Sequence, residues 1–201
     1  MGDDSKVIIP VEIDGLPVTV IEYYAFGHKD TLTCAELSNN LITIGESAFQ
    51  FCRNLKSVLI PESVTEMSNE AFSFCESLEN ISIPKNVTKI GFAAFDNSGL
   101  KEIDFADGIE EIGGEAFGNC EKIEQVILPN TVKIIGEAAF ADCTSLKKAV
   151  IPDSVTELGD GAFCDCENLS DVIIQKDFEE STVKQAFIGT PWYEENFGIS
   201  E

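Results

Sequence analysis

The sequence predicts a mostly β repeat solenoid of the α/β type: short coils stacked with a parallel sheet on one face and capping coils at both ends. Three observations carry that prediction. The first is a phenylalanine that returns as Phe26, Phe49, Phe72, Phe95, Phe117, Phe140, Phe163 and Phe187, at intervals of 23, 23, 23, 22, 23, 23 and 24 residues. Self-similarity at a fixed period is the mark of a stacked array. The second is a pair of apolar residues two apart in each unit: Val58 and Ile60, Ile81 and Ile83, Ile103 and Phe105, Val126 and Leu128, Ala149 and Ile151, Val172 and Ile174. A period of two marks a short strand with one buried face. The third is a proline directly after four of these strands, Pro61, Pro84, Pro129 and Pro152, which ends the pairing by removing an N–H donor.

No unit this short closes a core alone, so neighbouring coils must stack their Leu, Ile, Val and Phe into continuous ladders. At the usual strand spacing, eight coils would measure roughly 40 Å. Residues 7–26 form the expected N-terminal cap. There Val7-Ile-Ile-Pro10 reads as a strand and its proline, and Asp14-Gly15-Leu16-Pro17 inserts a turn before Val18 and Ile21 resume the register. Residues 27–175 are the core repeats. In each, the stretch after the strand (Val64 through Met67 to Phe72, for example) suits a second short segment, either extended or a helical turn. Gly45, Gly91, Gly113, Gly136 and Gly159 recur four residues before the Phe. A glycine there predicts either a corner at positive φ or a tight approach between coils. Residues 176–201 form the C-terminal cap, with Thr190 as N-cap and Pro191 at the first position of a helix. Trp192 and Tyr193 are expected to cover the open end of the core, which would otherwise expose sheet edges. The whole of 1–201 reads as a single domain.

Composition narrows the function. The net charge of −23 argues against nucleic acid, whose binding rests on Lys and Arg releasing phosphate counterions, and disfavours an anionic membrane surface. No apolar run reaches the roughly 18 residues that span a bilayer, so no membrane insertion is expected. Met1-Gly-Asp-Asp-Ser-Lys lacks the basic start and apolar run of a signal peptide.

The repeat, written Leu-x-x-Ile-x-Ile-Pro-x-x-Val-x-x-Ile-Gly-x-x-Ala-Phe-x-x-Cys, resembles the BspA-like leucine-rich repeat over about residues 7 to 193. That resemblance implies a leucine-rich-repeat coil stack, secretion or display on a cell surface, adhesion or other protein-protein contact, and no shared enzyme activity. A chain without a signal peptide fits the cytoplasm equally well.

Candidate chemistry is sparse. Cys52, Cys75, Cys120, Cys143 and Cys166 each follow the Phe by three residues and predict a column of buried thiols. In the short unit, counting back from Leu100 puts Asn97 in that column. Cys164 shares its phase with Gln50 and Ser73 and is expected to be exposed, and Cys34 to play a plain packing role. His28 is the only histidine and sits in an atypical coil; no catalytic set, metal site or cofactor is expected. The outward row of the sheet says more. Leu59, Ser82, Asp104, Ile127, Val150 and Ile173 face away from the core, and Ile127, Val150 and Ile173 are consecutive aliphatics. Such a strip usually marks a contact surface, although β-propensity alone accounts for it equally. Glu102, Gln125, Lys148 and Asp171 would form its rim. The expected role is therefore a non-enzymatic binding module whose sheet face holds a protein ligand, such as a host extracellular-matrix or cell-surface protein. A homodimer through the same face is a further partner. The alternative is a rigid spacer in a larger surface protein.

Overall fold

The computed structural model describes residues 5–198. The signal-peptide reading at Met1 to Asp4 and the last three residues of the C-terminal cap lie outside them. Each repeat makes two strands. The longer ones are Lys6–Ile8, Cys34–Glu36, Ser57–Leu59, Asn80–Ile83, Glu102–Phe105, Gln125–Ile127, Lys148–Ile151 and Asp171–Ile174. The shorter ones are Val20–Ile21, Thr43–Ile44, Glu66–Met67, Lys89–Ile90, Glu111–Ile112, Ile134–Ile135 and Glu157–Leu158. The second segment of each unit is thus extended, not a helical turn. Coils pair in parallel with matched register, as Ile44, Met67, Ile90 and Ile112 do in one row. The short strands join into one seven-stranded sheet. The long strands fall into groups of three, two and three, interrupted after Ser57–Leu59 and after Glu102–Phe105.

The core between these two sheet lines is a set of columns. From Phe26 to Phe187 the rings stack at 5.1–5.3 Å with planes within 11° of parallel. All but half-buried Phe26 are wholly buried. The turn that carries the Phe forms the third side of the coil and is itself hydrogen bonded to the next: Ser47, Phe49 and Phe51 donate to the carbonyls of Asn69, Ala71 and Ser73. Two residues per turn adopt positive φ, one two places before the Phe (Tyr24, Ser47, Glu70, Ala93, Glu115, Ala138, Gly161) and one two places after (His28, Phe51, Phe74, Asn97, Asn119, Asp142, Asp165, Gly189). A left-handed backbone costs an ordinary L-residue about 1–2 kcal/mol, so the bonds between coils must hold it in place. The glycines four before the Phe are not among these positions. They serve the tight approach instead, since a Cβ on Gly159 would lie 2.4 Å from the Glu137 nitrogen.

The thiols of Cys52, Cys75, Cys120, Cys143 and Cys166 are buried, and each donates to the carbonyl of the Phe in the preceding coil of its column at 3.0–3.3 Å (Cys52 to Phe26, Cys120 to Phe95). Ser98, not Asn97, fills the column in the short unit. It is buried, its N–H donates to Phe95 as that of Cys75 does to Phe72, and its Oγ lies 3.2 Å from Cys120 Sγ. The missing residue falls after Ser98, so counting forward from the Phe keeps the phase that counting back from Leu100 loses. All seven cysteines are free, and Cys164 is half-buried, not exposed.

The ends differ from the repeats. Glu12–Ile13 and Leu16–Pro17 pair antiparallel around Asp14 and Gly15, both at positive φ, which fits a tight hairpin turn. At the far end a helix that the sequence pattern does not announce, Glu180–Ala186, precedes the expected one, Pro191–Phe197, whose Thr190 Oγ1 accepts from the Tyr193 N–H at 3.0 Å. The Trp192 ring sits 5.0 Å from Phe187 and closes the Phe column.

Candidate protein-binding face

Alternation along the long strands sends every second side chain outward, and parallel register lines these up across coils. Ile127, Val150 and Ile173 are direct neighbours on three hydrogen-bonded strands. Ile127 is 54% and Ile173 42% exposed, and Val150 between them is half-buried. The row beside them is Gln125, Lys148 and Asp171, also in register, with Lys148 Nζ 2.6 Å from Asp171 Oδ2. Glu102 and Asp104 stand opposite Asn80 and Ser82, and Ser82 Oγ donates to Asp104 Oδ2 at 3.3 Å.

Leu59 is not part of the strip. It pairs in register with Glu36, and the polar coils of Ser82 and Asp104 separate it from Ile127. It forms instead, with Ile8 across Glu36, a second exposed aliphatic pair at the N-terminal end of the same outward row. Ile8 escaped notice because the first coil departs from the repeat.

A groove of about 690 Å³ opens beside the strip, at the starts of the long strands where the sheet is interrupted. Its lining includes Lys101, Glu102, Lys122, Glu124, Lys147 and Lys148. Lys101 Nζ lies 2.9 Å from Glu79 Oε1 and Lys147 Nζ 3.1 Å from Glu124 Oε2. The hydrogen bond from Lys101 holds the Glu79 carboxyl below its ordinary pKa. Lys122 has no ion-pair partner among the described residues. Lys101, Glu124 and Lys147 recur at intervals of 23 residues, and the stacking of successive coils brings them together.

No group of three or more His, Cys, Asp or Glu among the described residues is arranged to hold a metal ion. His28 stacks on Phe51 with ring centres 4.4 Å apart. No helix among the described residues is long and apolar enough to cross a membrane.

A BspA type leucine-rich repeat region, in six copies, matches residues 11–124 and 88–195. The T. pallidum leucine-rich repeat protein is similar at 27% identity over 95% of this chain and 87% of that one, with a TM-score of 0.64. A leucine-rich repeat protein from Bacteroides ovatus has the same fold at 24% identity over 96% of this chain and 62% of that one, with a TM-score of 0.57. No curated protein matches the chain. With repeats of this family spanning nearly its whole length, the chain belongs to the BspA type leucine-rich repeat family.

Proposed function

We propose that this chain is a non-enzymatic protein-binding module, serving adhesion at a cell surface or after secretion, and that its ligand lies across the long-strand face. The observation that carries this reading is the aliphatic strip of Ile127, Val150 and Ile173 on three hydrogen-bonded strands. An exposed apolar strip with a polar rim is how contact surfaces are built. Glu102, Asp104, Gln125, Lys148 and Asp171 supply that rim, and Leu59 a separate contact toward the N-terminal coils. A face fixed by register on both sides is preformed, so little ordering free energy is lost on binding. Membership of a repeat family known from bacterial surface proteins, and generally non-enzymatic, supports the compartment and the absence of catalysis.

The test is a pull-down from host extracellular-matrix and cell-surface extract, comparing wild type with Val150→Asp. Val150 points outward, so the variant keeps its circular dichroism spectrum; capture of the partner is expected to fall at least tenfold. Equal capture by the folded variant removes this face from consideration. Capture by neither protein favours the rigid spacer.

A further inference from the structure

The two sheets end differently at the C-terminal cap. The helix Glu180–Ala186 packs against Glu157–Leu158, the last strand of the short-strand sheet. Neither cap helix packs along Asp171–Ile174, the last of the long strands. The N–H groups of Asp171 and Gln175 donate back to the carbonyls of Lys147 and Ile151, so alternation turns the N–H and C=O groups of Val172 and Ile174 the other way. Nothing among the described residues bonds to those groups. The side chains are open too. Val172 and Ile174 are half-buried, whereas Ala149 and Ile151, which they meet in the preceding strand, are wholly buried. An open, apolar edge with no proline or lysine on it is a template for another strand.

We infer that this edge takes up an extended segment of the partner protein in which basic and β-branched residues alternate, a reading that rests on the long-strand face being the binding surface. The edge is continuous with that face. A strand added beside Asp171–Ile174 lengthens the outward row of Ile127, Val150 and Ile173 by one place. Main-chain bonds to Val172 and Ile174 supply affinity, and alternate side chains supply selectivity. The segment's inward residues cover the half-open Val172 and Ile174, and β-branched ones suit a strand so placed. Its outward residues meet acidic surroundings. The stretch from Asp171 to Gly198 carries six carboxylates against two lysines. Lys184 is held by Glu180 at 2.6 Å, while Asp177, Glu179, Glu194 and Glu195 are in no ion pair among the described residues. A basic segment is drawn to this end and an acidic one repelled. A second copy of the chain fits less well. Its first coil would have to stack where the helix Pro191–Phe197, with Trp192 against Phe187, already stands; a bare segment needs only the edge.

The probe is a fluorescein-labelled heptapeptide of alternating Lys and Val, followed by anisotropy. Beside it run its Glu-Val counterpart and two N-methylated forms, one methylated at every Lys and one at every Val. Both forms keep the charge and the side chains, but in an extended strand only one set of N–H groups faces the edge. Wild type is expected to bind the Lys-Val peptide and not the Glu-Val peptide. One N-methylated form should bind as the parent does and the other about tenfold more weakly or worse, having lost its main-chain bonds. Loss on methylating Lys means a parallel strand, and loss on methylating Val an antiparallel one. Val172→Pro removes an N–H that has no partner, a place where an edge strand accepts proline. The variant should keep its circular dichroism spectrum and lose about tenfold in affinity; if it does not fold, the N-methylated pair decides. The inference is overturned if wild type ignores the Lys-Val peptide, if the two N-methylated forms bind alike, if the Glu-Val peptide binds as well, or if folded Val172→Pro binds as wild type does. It is overturned too if sedimentation shows a dimer that Val172→Pro separates, since the edge then belongs to a second copy. In the pull-down, a partner lost by Val150→Asp but kept by folded Val172→Pro leaves the sheet face standing and removes the edge.

Discussion

Two columns of aromatic rings run along the same side of this molecule, and they obey different rules. The inner column, Phe26 to Phe187, repeats in every coil at 5.1–5.3 Å and is buried beyond its first ring. The outer column is two residues further along each turn and holds only three rings, His28, Phe51 and Phe74, at 4.4 and 4.7 Å. Each of its members sits at positive φ, a conformation that His tolerates but in which the bulky Phe51 and Phe74 are outliers. From the fourth coil onward the same place is taken by Asn97, Asn119, Asp142, Asp165 and finally Gly189, residue types that tolerate it. Apolar burial thus dictates the inner position without exception. The outer position is dictated by the backbone, and the chain meets it in two ways: stacked rings that offset strain, or residues in which the strain is small.

The largest expected effect breaks the inner column. Phe117 is wholly buried, stacked between Phe95 and Phe140 and met edge-on by Phe105 at 5.8 Å. Phe117→Ala leaves a cavity whose walls are held by hydrogen bonds between coils, so it cannot collapse. A loss of about 3–5 kcal/mol is expected, read as the shift in the urea midpoint at constant slope. A loss below about 1 kcal/mol would mean that the coils close over the gap, as a loose core does.

The thiol column next to it gives the second effect, and its sign follows from burial. Burial pushes the Cys120 thiol up to about 12 and the Cys52 thiol up to about 11, from an ordinary value of 9.0. Between pH 9 and the raised value, the folded chain keeps a proton that the unfolded chain releases. The stabilisation is therefore whole below pH 9 and is lost as pH rises toward 12. The slope for Cys120 is on the order of 1.4 kcal/mol per pH unit. The check is urea unfolding of wild type and Cys120→Ala at pH 8 and 10.5, where other titrations cancel in the comparison. Wild type should lose about 2 kcal/mol more than the variant over that interval. Parallel curves would mean that the thiol is hydrated in the folded state.

The fold was legible because apolar burial, its chief source of stability, leaves the same residue types at the same phase in every coil; Phe49, Leu55, Ile60 and Val64 announce themselves. The turn backbone was not, because Glu70, Ala93 and Phe74 carry no sign of a left-handed conformation, and only the later Asn and Asp residues hint at it. Ser98 was misplaced because a deletion shifts every count that crosses it. Of the candidate face, the row of Ile127, Val150 and Ile173 follows from alternation alone. The lysine groove follows from stacking, since Lys101, Glu124 and Lys147 stand at intervals of 23 residues. The sheet break beside it has no physical account, although the unit there differs from its neighbours at Ala106, Gly108 and Ile109 and by the missing residue.

The smallest effect tests the comparison itself. Phe74 ends the outer column, stacked on Phe51 and facing Asn97 in the next coil, and is half-buried. Phe74→Asn places in the third coil what the fourth already has. The ring's stacking is lost, about 0.5–1.5 kcal/mol, together with part of its apolar burial, about 1 kcal/mol. Against that, Asn relieves about 1 kcal/mol of left-handed strain. The net loss should be about 1 kcal/mol, a few degrees in Tm for a chain of this length, and well below that of Phe117→Ala. If Phe74→Asn instead costs as much as Phe117→Ala, the outer rings are part of the core and the strain at Phe74 is fully offset by packing. If it stabilises, the outer rings are retained against stability, and the exposed edges of His28, Phe51 and Phe74 become the next surface to test for a partner.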